Sequence, residues 1–450
     1  MLGTWCRLML SELKYPIFFG FLLTFIPFSV VATMVRKEYS RVLFFLAMFF
    51  SCRLNETINF VSHEFYKGTS RGFEVTLVDV TALSIFFTLP FIKKSKDIML
   101  FPPGTILYGL YFLFSVVSIL NSSNSLVSFF EVWKLARMYF FYWVLVNLLD
   151  ENLLSKDFLK NLKYMLAYIF LVVLFDKYWN GVYQAKGPFP HQNSLVMYVN
   201  FFGSICFSHF LNSKKNTKIW GFFSAASLVL TILTFSRAGL VFYLLTLGII
   251  FTLSVITRFN FKKVKLTFFA LILSVPIVIK SMDSIVTRVS TAPKESAETR
   301  VFLAKAAVKM ANENFFGVGL NNFGLKINKP YSYCSHCPSY HKKDNKDGLV
   351  ETTYLMIAAE TGWLNLLVFL CLLFRFYFKN LFFWYHNKDK EISLISLGLI
   401  GSLTTVIVHS CFEWVLRQTP NSYQLMIVFA VIARLAFKKK EEVGVENTSL

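Results

Sequence analysis

The sequence at residues 219–257 reads IWGFFSAASLVLTILTFSRAGLVFYLLTLGIIFTLSVIT. Two apolar runs, 219–235 and 238–257, are joined through Ser236 and Arg237 without room for a solvated loop. Each run approaches the roughly 17–25 apolar residues that a transmembrane helix needs. The stretch therefore predicts a helical hairpin in a bilayer. Arg237 at its hinge is either a functional cation or a snorkelling interfacial side chain.

Apolar segments of this kind recur along nearly the whole chain and predict an all-α, polytopic integral membrane protein. Of the 450 residues, 55% are hydrophobic and only 16% are charged, against about 25% charged in an average soluble domain. The second segment is too short to cross the roughly 30 Å hydrocarbon core comfortably, so twelve and thirteen spans both stay open. The candidate spans are 15–35, 39–53, 73–92, 101–120, 127–149, 161–179, 193–211, 219–235, 238–257, 265–282, 353–376, 393–412 and 421–437.

The basic residues that give the net charge of +20 lie at the joints between these segments. Clusters such as Lys93–Lys96, Lys262–Lys265 and Lys438–Lys440 border apolar runs, as the positive-inside rule expects of cytoplasmic loops. We therefore attribute the charge to membrane topology and expect no nucleic-acid partner. With Lys438–Lys440 inside, alternation places the long polar stretch 283–351 on the outer face.

The same alternation divides the chain into four parts. Residues 1–282 form an N-terminal transmembrane bundle, 283–351 an outer loop, 352–440 the C-terminal transmembrane helices and 441–450 a short cytoplasmic tail. The outer loop is large enough to cover a site, and we expect it to act as a lid or catalytic loop with a helix near 297–314.

Three arginines on the outer face are candidates for binding an anion. They are Arg237, Arg288 and Arg300, and a planar guanidinium matches phosphate oxygens well. Surface arginines are common, so ordinary solvent exposure remains the alternative for Arg288 and Arg300.

Carboxylates near the outer boundary are candidates for acid–base chemistry. Glu351, partly shielded there, can act as a general base, or it can stabilise a helix N-terminus, an interpretation that also applies to Glu360. Glu413 and Arg417 are four residues apart, so they either pair with each other on a helix or contact a substrate.

The outer loop also contains Cys334, His336, Cys337 and His341. Four ligands crowded into eight residues do not match the usual zinc spacing, so we expect no metal and no other cofactor. A disulfide between the two cysteines is favoured in an oxidising compartment, with free thiols as the alternative. The nearby run GVGLNNFG at 317–324 predicts either a tight turn or backbone contact with a ligand.

Four motifs follow one another on the outer face. They are GPFPHQNSL at 187–195, TFSRAG at 234–239, NFFGVGLNNF at 314–323 after Arg300, and ETTYLMIAAETGW at 351–363. Their order, over roughly residues 180–420, resembles the O-antigen ligase and polymerase family of bacterial membrane proteins.

The resemblance implies an inverting, metal-independent glycosyltransferase that faces the periplasm from the bacterial inner membrane. Its donor is a glycan on undecaprenyl diphosphate, and its acceptor is a hydroxyl group. By position, Arg237 and Arg300 match the family's pyrophosphate-contacting arginines, and Arg288 is a further candidate. Other candidates for the substrate pocket are His191, Asn193, Glu413 and Arg417.

The sequence departs from the family at the general base. Where the ligases have His-Asn-x-Tyr-Leu, this chain reads Glu-Thr-Thr-Tyr-Leu at 351–355. Glu351 can substitute chemically, or His336 or His341 can reach in from the loop.

Three functions stay open. A ligase moves O-antigen onto a lipid A core, and a polymerase joins the lipid-linked glycan to a growing glycan acceptor. A transporter or flippase of a lipid-linked or anionic solute is the alternative of another class, because arginines at membrane depth also mark transport paths.

Overall fold

The computed structural model describes residues 2–52, 57–63, 66, 68–261, 263–265, 294–335, 348–388 and 390–437, with the side chains of 2–13 and 294–297 left out. These residues form an all-α polytopic membrane protein, as the hydropathy predicts. Residues 266–282 of the predicted span 265–282, the start of the outer loop and the polar tail lie outside the described residues.

Apolar runs become helices because a helix satisfies every backbone hydrogen bond within the segment, which a bilayer requires. The helices are α1 (Leu2–Val35), α2 (Tyr39–Cys52), α3 (Leu77–Ile92), α4 (Thr105–Val117), α5 (Ser125–Leu148), α6 (Phe158–Tyr178), α7 (Gln192–Asn212), α8 (Thr217–Leu233), α9 (Arg237–Thr257), α10 (Lys294–Glu313), α11 (Thr353–Thr361), α12 (Trp363–His386), α13 (Ser393–His409) and α14 (Thr419–Ala436).

Five helical segments of the described chain are long and apolar enough to cross a membrane. Shorter apolar helices pack among them, including α2, which was expected to be short. Helix α5 has the length of a span but contains three buried charged side chains, described below. The five segments are Lys14–Val35, Leu153–Tyr178, Gln192–Asn212, Arg237–Thr257 and Trp363–His386.

Helix α7 forms the centre of the bundle. In its most apolar stretch 94% of the residues are buried, compared with 17% in that of α1. Helix α7 packs against α8, α9 and α13. Helix α1 is therefore peripheral, and α7 brings its N-terminal residues to a place where several segments meet.

Two predicted spans differ from the structure. The span 73–92 begins as strand β2 (Gly72–Thr76), which pairs antiparallel with β1 (Thr57–Ser62). Helix α3 starts only after Thr76, whose side chain forms a capping box with Asp79.

The span 353–376 is not one helix but two, α11 and α12, separated at Gly362. Gly362 has φ of 89° and ψ of 161°, a region that is essentially restricted to glycine. A Cβ there would lie 2.0 Å from the carbonyl oxygen of Phe315. The loop after α10 therefore packs into the break, and the predicted loop helix near 297–314 is confirmed as α10.

Candidate active site

An open cleft of about 680 Å³ gathers residues from five separate parts of the chain. We call it the polar cleft. It is lined by residues 57, 68, 69, 71 and 74 of the β-hairpin region, by residues of the segment 188–193, by Arg300 and Glu351, and by residues 413–415 and 418–420. Five of the predicted site residues line it, namely His191, Asn193, Arg300, Glu351 and Glu413.

Arg300 projects from α10 between two carboxylates of the polar cleft. Its guanidinium forms an ion pair with Glu351, and its Nη2 lies 4.0 Å from Oε1 of Glu413. Arg300 is 51% exposed and Glu351 36% exposed, so this contact contributes little to stability. The guanidinium can therefore exchange one of its carboxylates for an anionic ligand.

Glu413 is the more shielded of the two carboxylates, at 11% exposure. Burial is the main cause that raises its pKa, and the negative charge of Glu351 adds to this effect. Arg300 and a hydrogen bond with Asn193 oppose them, and the pKa settles at about 7. Glu413 is thus poised to exchange a proton near neutral pH.

The N-terminus of α7 positions Asn193 beside Glu413. The side-chain Oδ1 of Asn193 accepts a hydrogen bond of 2.8 Å from the Ser236 hydroxyl. This leaves the side-chain NH₂ of Asn193 as the donor to Glu413. Nδ1 of His191 caps the helix by accepting from the Asn193 N–H at 3.3 Å. Burial, and secondarily Lys186, lowers the pKa of His191, which favours the neutral imidazole.

Arg237 begins α9 and is exposed. It does not line the polar cleft, and within the described part of the chain it forms no ion pair with a carboxylate. Its neighbour Ser236 links the predicted arginine motif to the cleft through Asn193. The phosphate-binding role of Arg237 stays a prediction.

Arg417 lies outside the polar cleft, and the expected pairing of Glu413 with Arg417 on a helix is wrong. Only Val415–Arg417 form a 3₁₀ turn here. Arg417 turns inward to Glu360 at 2.6 Å and to Glu131 at 3.0 Å. Both carboxylates are 1% exposed, and they raise the pKa of Arg417 against the opposing effect of burial.

The interpretation of Glu360 as a helix N-terminal acid is also wrong. Helix α11 starts at Thr353, so Glu360 lies in its last turn. Its charge is balanced by Arg417 instead of by the helix dipole, and its Oε1 accepts the N–H of Phe323 at 3.3 Å.

Further members of this buried network lie on α5 and were not predicted from the sequence. Lys134 pairs with Glu131 at 2.7 Å, and Arg137 pairs with Asp79 at 2.7 Å. Nζ of Lys134 also donates to the backbone carbonyl of Arg417 at 2.9 Å. Three charges at intervals of three residues inside an apolar helix were the available signal, because such charges inside a bundle are paired and functional.

The glycine run at 317–324 docks onto protein. The Asn321 side chain bonds the N–H of Thr69 at 2.9 Å and the carbonyl of Ser70 at 2.8 Å. Asn322 accepts the N–H groups of Ser123 and Asn124 at 3.1 and 3.0 Å. The structure thus favours the tight turn over direct ligand contact.

The remaining predicted residues of the outer loop fall largely outside the described chain. Cys334 is disulfide-bonded, whereas Cys337 is not described, so their pairing stays a prediction. Arg288, His336 and His341 are likewise outside the described residues, and their roles stay predictions.

The fold and the polar cleft together define a multi-pass helical membrane protein with a charged site beside a loop helix. A family model described as O-antigen ligase matches residues 222–370, about a third of the chain. No curated protein matches the chain. The match supports the resemblance: over residues 222–370 the chain is similar to O-antigen ligases, and a ligase- or polymerase-type function is supported in general terms.

The matched region covers only part of the polar cleft. It contains Arg237, Arg300 and Glu351. The β-hairpin, the segment 188–193 and the segment 413–420 lie outside it. Glu413 and its partner Asn193 therefore come from parts of the chain that the family model does not include.

Proposed function

We propose that the protein is a glycosyltransferase that moves a glycan from undecaprenyl diphosphate to a hydroxyl acceptor, with a lipid A core as the leading acceptor. The reaction takes place at the periplasmic face of a bacterial inner membrane, without a metal and with inversion at the transferred sugar. The observation that carries the proposal is the position of Arg300 in the polar cleft between Glu351 and the largely buried Glu413, whose pKa burial raises to about 7.

Arg300 binds the diphosphate of the donor. A phosphate oxygen displaces Glu351 from the guanidinium, and the charge-assisted bond strengthens as negative charge grows on the leaving group. Arg237 and Arg288 are further candidates for the same diphosphate. The arginines supply the positive charge that a metal ion provides in other glycosyl transfers.

Glu413 is the general base of the proposed reaction. It takes the proton from the acceptor hydroxyl as that oxygen bonds to the anomeric carbon. The bond from this carbon to the diphosphate oxygen breaks at the same time, and the electron pair leaves with the diphosphate. A base with a pKa near the operating pH is the most effective. Glu351 then positions Arg300 until the donor binds, while His336 and His341 remain alternatives as the base.

The test is glycan transfer in reconstituted vesicles from an undecaprenyl-diphosphate-linked donor. The variants are Arg300→Gln and Glu413→Gln, and the matched control is Lys305→Gln, which is exposed on the same helix but lies outside the cleft. We expect both cleft variants to lose transfer while the control keeps it.

The acceptor distinguishes the two enzyme functions. Consumption of lipid A core supports the ligase, and consumption of a second lipid-linked repeat supports the polymerase. A wild-type protein that transfers to neither acceptor but moves the donor across the bilayer contradicts both and supports the flippase.

A further inference from the structure

The wall of the polar cleft formed by the β-hairpin region contains a second arginine, Arg71. It directly precedes β2, and its backbone carbonyl accepts the N–H of His63 at 2.7 Å. The side chain is exposed. Arg71 was not among the residues predicted from the sequence, and it precedes the region matched by the family model by about 150 residues.

The charge of Arg71 has no carboxylate partner in the described part of the chain. Among the described residues, Arg71 forms no ion pair, whereas Arg300 is paired with Glu351. The nearest carboxylate along the chain that lines the cleft, Glu74, is paired with the buried Arg137 at 3.5 Å. Arg71 is therefore a cation of the polar cleft that is available to a ligand.

The residues directly before Arg71 are fixed by hydrogen bonds to other parts of the protein. The carbonyl of Ser70 accepts from Asn321 at 2.8 Å, and the Thr69 hydroxyl donates to Glu131 at 2.8 Å. Glu131 is itself fixed by Lys134 and Arg417. An exposed arginine on a strongly hydrogen-bonded segment loses little backbone entropy on binding, which favours affinity.

We propose that Arg71 is a second anion-binding residue of the polar cleft and takes a phosphate or carboxylate group of a substrate. This inference rests on the proposed function and adds a residue from the N-terminal part of the chain to the cleft residues already described. The group belongs either to the diphosphate of the donor or to an acidic substituent on the acceptor sugar. A bidentate guanidinium contact suits both, because each group presents a pair of oxygens that can accept two parallel N–H donors.

The experiment measures binding of inorganic pyrophosphate and of glucose 6-phosphate to the full-length protein in detergent. Wild type is compared with Arg71→Gln, Arg71→Lys, Arg300→Gln and the control Lys305→Gln. A lost charge-assisted contact is expected to weaken binding about tenfold or more, with partial recovery in Arg71→Lys. The melting temperature is expected to stay at the wild-type value, because Arg71 is exposed and unpaired.

Each outcome decides the inference. Weaker pyrophosphate binding in Arg71→Gln supports a donor contact, and weaker binding of glucose 6-phosphate alone supports an acceptor contact. Unchanged binding of both ligands overturns the inference, as does a wild type that binds neither. If Arg300→Gln weakens pyrophosphate binding and Arg71→Gln does not, the inference fails while the proposed function stands.

Discussion

Glu413 experiences two pairs of opposing influences. Burial and the charge of Glu351 favour its neutral form, whereas Arg300 and Asn193 favour the carboxylate. Because a general base works only when deprotonated, the transfer rate is expected to fall as the pH drops through about 7. The measurement is the initial rate of glycan transfer as a function of pH.

The variant Glu413→Gln is expected to lower kcat by about 10²–10⁴-fold and to abolish this dependence on pH. Its side chain keeps the shape and can still hydrogen-bond, so the fold is preserved. If Glu413→Gln retains the wild-type pH profile, another group is the base.

Glu351 gives a second prediction at the residue scale, concerning the direction in which the pKa of Glu413 shifts. Its negative charge raises the pKa of Glu413, so Glu351→Gln is expected to lower that pKa and to move the pH dependence of the rate toward lower pH. The variant keeps measurable activity if Glu351 only holds Arg300. Complete loss of transfer with unchanged donor binding identifies Glu351 as the base instead.

At the scale of the element, the break between α11 and α12 depends on Gly362. Alanine at this position forces an L side chain into a glycine conformation, at about 1–3 kcal/mol, and it collides with the Phe315 carbonyl. We expect Gly362→Ala to lower the melting temperature markedly. Gly248→Ala in α9 is the matched control, since no heavy atom lies within 4 Å of its added Cβ. Equal stability of the two variants contradicts the proposed packing.

The buried network below the polar cleft is a second feature of this scale. Replacing Arg417 by Met leaves Glu360 buried without its cation and Glu131 with Lys134 alone, and breaking such a buried pair costs about 3–5 kcal/mol. We expect a large drop in melting temperature, measured by fluorescence-detected size exclusion. Lys305→Met, an exposed position, is expected to change it little. A neutral effect of Arg417→Met means that the two carboxylates find other partners.

Hydropathy predicts where the helices lie because the bilayer leaves an apolar run few alternatives. Hydropathy does not predict the break at Gly362, since the sequence stays largely apolar across this position. The break accommodates the backbone of Phe315, a contact that only the structure shows. The strands at 57–62 and 72–76 were missed for a related reason. They are short, and β2 runs directly into the apolar segment 73–92, so hydropathy does not separate it from helix α3.

At the scale of the whole molecule, the motifs predicted a site whose residues the structure partly assembles. His191, Asn193, Arg300, Glu351 and Glu413 line one cleft although they are spread over about half of the chain. The identity of the ion pairs could not be predicted, because Arg417 has a carboxylate four residues away but bonds to Glu131 and Glu360. Arg71 carried no signal, since a single arginine in a short polar joint is ordinary.

The proposed chemistry requires the polar cleft to face the periplasm, a prediction that belongs to the whole molecule. Positive-inside alternation puts Lys94 in the cytoplasm and α10 outside, and both Lys94 and Lys305 are exposed. In a Cys371→Ser, Cys411→Ser background, we expect a membrane-impermeant maleimide to label Lys305→Cys in cells whose inner membrane is intact. Lys94→Cys is expected to react only after that membrane is permeabilised. The reverse pattern places the cleft in the cytoplasm, where an enzyme of periplasmic glycans has no substrate, and so contradicts the proposed function independently of any activity assay.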